Sequence, residues 1–224
     1  MTIPVKDANG NTVTINTIAD LMALLPAAIG SAASSASLPV VIASDQADLS
    51  AKDMARVFSV AGTTLTRPAN TTAYSAGDAI SDNATAGSVT ANSITVADVA
   101  DQPVTVEAVT LTTADTGPGA AGATFDLHLF DSDPTASSGV GAGDNAAWTQ
   151  KRAGWVGKLS GTFFSMSDGS VARLVPSSGD NRIITTPVSG AMTLYWQLVA
   201  VTGWTPSANS TTFTPTFEGF FGRA

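Results

Sequence analysis

From Phe58 onward the chain is written in short runs that alternate apolar and polar residues, broken by turn residues, with no run at helical spacing. The runs are RVFSVAGTTLT, AYSAGDAI, SITVADV, QPVTVEAVTLTT, TFDLHLFD, WVGKLSGTFF, VARLVP, RIITTPV, MTLYWQLVAVT and TFTPTFEGFF. A period of two places alternate side chains on opposite faces of a strand, so each run reads as a strand with one face toward a core. Serial strands without intervening helices exclude parallel βαβ units. They predict two packed antiparallel sheets, a mainly β fold of jelly-roll or related Greek-key sandwich type. No internal repeat is present, which disfavours solenoids and propellers.

The first 57 residues read differently, and a domain boundary is expected between an arm, 1–57, and a sandwich, 58–224. IPVKDANGNTVTI alternates on both sides of Asn9-Gly10, a pair that tolerates the positive φ of a tight hairpin turn. NTIADLMALLP then places Ile18, Leu21, Met22 and Leu25 at i, i+3, i+4 and i+7, a short helix closed by Pro26. So short a helix is marginal alone in water, and its apolar stripe needs a partner or the main domain. AAIGSAASSAS, residues 27–37, reads as a small-residue linker. Beyond it Val40, Val41 and Ile42 form an apolar extended run that Pro39 restricts to an edge or a strand start. Together, Ile18, Leu21, Met22, Leu25, Val40, Val41 and Ile42 are the candidate partner-binding residues; completing the protein's own core is the alternative.

Charge narrows the function classes. Only 12% of the 224 residues are charged and the net charge is −8. Residues 68–150 contain ten acids and no Lys or Arg, whereas residues 151–224 carry six basic residues against three acids. An acidic chain without a basic cluster does not suit a nucleic-acid surface. The asymmetry suits acidic and basic surfaces of neighbouring subunits meeting, or simply solvated loops. The absence of cysteine excludes disulfides and thiol chemistry. No apolar stretch has the length of a membrane span, and the N-terminal residues lack the pattern of a secretory signal, so folding in a cytoplasm is expected.

The densest cluster of potentially reactive groups is FDLHLFDSDPT, residues 125–135, which holds the single histidine, His128, among Asp126, Asp131 and Asp133. On a strand, Asp126, His128 and Phe130 share one face, expected to point outward, with His128 and Asp126 as a surface pair. One imidazole without cysteine is a poor zinc set. Asp131, Asp133, Asp144 and Asn145 could gather around calcium at two ends of one loop, although no EF-hand register is present. No nucleophile elbow occurs, no two carboxylates are paired as a glycosidase requires, and GPGAAGAT precedes a strand, where no helix N-terminus is expected to hold a phosphate. The chain therefore reads as a non-enzyme requiring no cofactor. Trp196 is expected in a core or subunit interface, whereas Trp148, Trp155 and Trp204 near turns are candidates for stacking on sugar.

Three segments carry a family resemblance. SSASLPVVIASDQ (34–46), TRPANTTAYSAGDAISDN (66–83) and FDLHLFDSDPT with GDNAAWT (within 125–149) resemble structural proteins of tailed-bacteriophage virions. The resemblance implies a head decoration, cement or head-fibre protein bound to the major capsid protein. Such proteins are commonly β-rich homotrimers, assembled in the host cytoplasm and carried on the capsid surface. It implies no catalytic motif and carries over no site residues. A tail or baseplate module that binds a host receptor or carbohydrate is the alternative it leaves open.

Overall fold

In the computed structural model the residues described are 3–6, 10–15, 56–97, 100–134, 142–149, 153–177, 182–187 and 190–221. The chain divides into two compact units, Met1–Leu49 and Ser50–Ala224. In the first, β1 (Ile3–Lys6) and β2 (Thr12–Ile15) pair antiparallel, Ile3 opposite Ile15 and Lys6 opposite Thr12. The hairpin expected around Asn9-Gly10 is present. Its connection is longer than a two-residue turn, with Gly10 at φ 84° and its carbonyl accepting from Lys6 Nζ at 3.1 Å. The expected helix, the linker and the extended run at Val40–Ile42 lie outside the described residues.

The second unit is the expected antiparallel β-sandwich. Its strands are β3 (Arg56–Ala61), β4 (Leu65–Thr66), β5 (Ala79–Ile80), β6 (Asn92–Thr95), β7 (Val104–Thr113), β8 (Thr124–Phe130), β9 (Trp155–Thr162), β10 (Phe164–Met166), β11 (Gly169–Pro176), β12 (Ile183–Thr185), β13 (Thr193–Ala200) and β14 (Thr212–Phe221). Each run read from the sequence contributes to these strands. The hydrogen-bonded order is β3-β14-β7-β11-β9-β8-β13-β5, with β4 beside β14, β12 beside β7, β10 beside β11 and β6 beside β13.

One strand serves both layers. The first half of β11, Ser170–Leu174, pairs with β7, while Val175 and Pro176 pair with β9. A strand that changes sheets turns a corner between two packed layers. The first layer is therefore β3-β14-β7 with β11 and β12, and the second is β9-β8-β13 with β5 and β6. At the opposite margin the backbone N–H of Thr63 donates to Ser93 O at 2.9 Å, and the Ser93 N–H donates to Thr63 Oγ1 at 2.9 Å. These bonds link the end of β3 to β6.

The core fills the space between the layers. Phe125, Leu127 and Leu129 of β8, Trp196 and Leu198 of β13, Val109 and Leu111 of β7 and Phe213 and Phe217 of β14 are all buried. Burial of such side chains contributes about 1.5–3 kcal/mol each, the main term holding the layers together. In β7 the alternation breaks once, because Ala108 and Val109 are adjacent and both buried. Here Glu218 faces Ala108 while Gly219 faces Val106, leaving Glu107 as the extra residue of a β-bulge.

One element was not anticipated. Gly117–Ala121 forms a single-turn helix, α1, where the sequence shows only a glycine-rich approach to a strand. Pro118 in its first turn has its φ fixed near the helical value, which favours starting the turn.

Candidate functional site

The segment that drew attention in the sequence lies on β8, and both faces of this strand are buried. Asp126 is 8% exposed and His128 4%, so the expected outward face is instead covered. Alternation was correctly assigned, but the outer face of the second layer has a cladding of its own. His128 sits between Lys158 on β9 and Gln197 on β13. The Trp148 ring lies over it, with centroids 4.1 Å apart, and Trp155 Nε1 donates to His128 Nδ1 at 3.2 Å. Accepting at Nδ1 leaves the proton of the neutral imidazole on Nε2. Asp126 takes an ion pair from Lys158 Nζ at 2.6 Å, which replaces the expected His128–Asp126 pair.

Burial pushes the His128 pKa down to about 4; Asp126 opposes the shift, and Lys158 adds to it. A histidine whose folded pKa is depressed takes up its proton more readily when unfolded. Its contribution to stability is therefore intact above about pH 6.5 and is lost as pH falls toward 4, up to about 3 kcal/mol. His128→Gln should remove this component. Urea unfolding of both proteins at about pH 7 and about pH 4.5 checks it. Equal acid-induced losses in the two proteins would show that His128 is not the responsible group.

The cladding is fastened by a second buried cluster. Arg67 is 1% exposed, yet it carries a guanidinium. Its Nη2 pairs with Asp144 Oδ2 at 3.3 Å, and its Nε donates to Tyr74 Oη. Tyr74 Oη donates to Asp144 Oδ1 at 2.5 Å, and the Ser81 N–H donates to the same oxygen at 3.1 Å. The guanidinium also lies over the Tyr74 ring, 4.7 Å from its centroid, and Tyr74 stacks on Trp204 at 5.0 Å. Burial raises the Tyr74 pKa, and the hydrogen bond to Asp144 adds to the rise, so the phenol keeps its proton. Backbone bonds complete the attachment: Ala79 N–H to Ala146 O, Asn145 N–H to Ala79 O and Trp148 N–H to Gly77 O, at 2.8–2.9 Å.

Two members of the expected calcium set have protein partners in this arrangement. Asp144 is committed to Arg67, Tyr74 and Ser81, and Asp131 Oδ1 accepts from Ser132 Oγ at 3.0 Å. Asn145 takes a left-handed φ of 61° within the turn. Among the described residues no group of three His, Cys, Asp or Glu side chains is arranged to hold a metal ion. Asp115, which the sequence did not single out, is a third internal tie. Burial opposes its ionised form, but bonds from Ser207, the Gly117 N–H and Thr211 outweigh that and hold its pKa below the usual range.

The tryptophans likewise turn inward. Trp196 is in the core as expected, and Trp204 is 4% exposed on Tyr74. Trp148 and Trp155 are half-buried against His128. The three candidate sugar-stacking rings thus do not present a shared open platform. The apolar candidates Ile18, Leu21, Met22, Leu25, Val40, Val41 and Ile42 lie outside the described residues.

Among the described residues, the outer face of the first layer carries several exposed apolar side chains. One row runs Val57, Phe220, Thr105, Ile184 across four strands, and another Thr214, Thr112, Val171, Phe164. Between them Arg173 Nη1 pairs with Glu218 Oε1 at 2.5 Å and donates to Thr110 Oγ1 at 3.1 Å. A shallow groove of about 440 Å³ lies along this face, lined by Thr112, Val171, Met166 and Thr214 among others.

No protein-family model matches this chain, and no curated protein matches it. Among the described residues no helix is long and apolar enough to cross a membrane.

Proposed function

We propose that this protein is a non-enzymatic structural component of a tailed-phage virion, decorating or cementing the capsid by binding its major capsid protein. The observation that carries the reading is how the resembling segments fold. Residues 66–83 and the GDNAAWT part of 125–149 lie far apart in sequence, yet Arg67, Tyr74 and Ser81 from the first hold Asp144 of the second. GDNAAWT in turn brings Trp148 onto His128 of FDLHLFD. The resemblance thus falls on one interlocked cladding, as a shared structural element would. Asp126 and His128, which invited a catalytic reading, and Asp144, a candidate metal ligand, are engaged in that cladding.

On this reading the capsid contact lies in the N-terminal region, around Ile18, Leu21, Met22, Leu25, Val40, Val41 and Ile42, whose apolar pattern requires burial against a partner or the main domain, the capsid protein being the partner proposed. Binding only to the assembled shell stabilises that state by mass action, and many copies acting together make a weak single contact sufficient. The full chain should co-sediment with assembled shells of the major capsid protein, and deletion of residues 1–46 should abolish this while far-UV circular dichroism still reports β structure. Undiminished binding by the deletion would remove the arm from the contact. Failure of the full chain to bind shells would sink the decoration reading.

A further inference from the structure

We propose that Asn9 is a site of spontaneous covalent modification, converting to aspartate and isoaspartate through a cyclic imide formed with the Gly10 nitrogen. Asn9-Gly10 lies between β1 and β2, and Gly10 is exposed, with φ 84°. The first step is attack of the Gly10 backbone nitrogen on Asn9 Cγ. The N–Cγ bond forms, the Cγ–Nδ2 bond breaks, the proton of the attacking nitrogen passes to solvent, and ammonia departs. Water then opens the imide at either carbonyl. Opening at Cγ leaves aspartate, whereas opening at the backbone carbonyl leaves isoaspartate, in which the main chain runs through Cγ.

Three features single out this position. The first is steric. A Cβ on the following residue crowds the attacking nitrogen, and glycine has none. Asn9 is the only asparagine of the chain followed by glycine; the others precede Thr, Ser, Ala or Arg. Apart from the neighbours of Gly10 in the chain, no atom of the described residues lies within 4 Å of where its Cβ would stand, so the approach is open. The second is electrostatic. Lys6 Nζ donates to Gly10 O at 3.1 Å, and an ammonium at this residue favours the deprotonated nitrogen that attacks. The third is freedom to reach the geometry of attack. Among the described residues β1 and β2 form a sheet of two strands only, which is marginal by itself in water, so opening at its tip costs little. Asparagines of the sandwich are held in place instead. Asn70 Oδ1 accepts from the Thr72 N–H at 3.1 Å, Asn83 Oδ1 accepts from the Thr85 N–H at 2.8 Å, and Asn92 is buried in β6.

Both products place a carboxylate between β1 and β2, making a chain of net charge −8 one unit more negative, and isoaspartate also lengthens the backbone by a methylene. The inference does not depend on the capsid reading, because it concerns the purified chain alone. The full chain is kept for weeks in neutral and in mildly alkaline buffer, digested, and its peptides sequenced by tandem mass spectrometry. Asn9 should gain about 1 Da as amide becomes acid, at least about tenfold faster than any other asparagine. Isoaspartate should be found at this position by labelling with an isoaspartate methyltransferase. The rate should rise with pH, because the attacking nitrogen must lose its proton. Asn9→Gln should suppress the label there, since the longer side chain closes a larger and less readily formed ring. An Asn9 that stays intact, one that converts no faster than Asn83 or Asn92, or one that yields aspartate without isoaspartate would each overturn the proposal.

Discussion

Asp144→Ala should destabilise the sandwich by about 3–5 kcal/mol, the largest loss expected from any side-chain truncation outside the hydrophobic core. The substitution removes the acceptor for Tyr74 Oη and the Ser81 N–H and strands the guanidinium of Arg67, whose side chain is fully buried. Arg67 Nη1 already lacks a protein partner, and once Asp144 is gone the only acceptor left to Nη2 is the neutral Asn70 Oδ1, at 3.3 Å. An uncompensated buried charge is much costlier than the pair is stabilising, and the second half of the test uses that asymmetry. Arg67→Met combined with Asp144→Ala should recover much of the loss, because both ionic groups leave together. Urea unfolding followed by tryptophan fluorescence reads both, since Trp148 and Trp204 report on the cladding and on the stack beneath Arg67. A single-variant loss below about 1 kcal/mol, or strict additivity in the double variant, would mean that the cluster does not hold the cladding.

Gly219→Ala is expected to be comparably severe for a steric reason. A Cβ at Gly219 would sit 1.9 Å from the Thr105 carbonyl oxygen and 2.9 Å from the Phe58 ring. The oxygen belongs to the backbone of β7, so relief requires two paired strands to separate at the bulge where Gly219 faces Val106. Loss of at least about 3 kcal/mol, or failure to fold, is the expected outcome. Thr216→Ala on the same strand, an outward and half-buried position, should change stability by less than about 1 kcal/mol and serves as the control. Thermal unfolding of the two proteins makes the comparison. A Gly219→Ala protein as stable as the control would show that the bulge can open without loss.

Much of the sandwich was legible because strand alternation is local. TFTPTFEGFF buries Phe213, Pro215 and Phe217 in register, as its period requires. What could not be read was where a second layer of burial is added by chain remote in sequence. FDLHLFD alternates apolar with polar or mixed residues, and nothing within it indicates that Trp148 and Trp155 will cover His128. Nor does Arg67 announce itself. It is the last basic residue before a long stretch without Lys or Arg, a hint that it serves an acid within that stretch, but the hint does not select Asp144 from ten. Proximity in sequence likewise grouped Asp131, Asp133 and Asp144, while the fold gives Asp144 a partner 77 positions away. The five-residue helix was missed because one turn is too short to show a period.

The place of β14 has a consequence for how the molecule is made. This strand lies between β3 and β7, so these two members of the first layer are joined across the last of the described strands. Until residues 212–221 leave the ribosome, β3 and one side of β7 have open backbone edges, and the bulge at Glu107 has nothing opposite it. Completion of this unit waits on β14 and is slowed by closing loops of more than a hundred residues. In that interval the nascent chain offers unpaired edges to its neighbours, and a cell producing many copies at once would have to keep them apart.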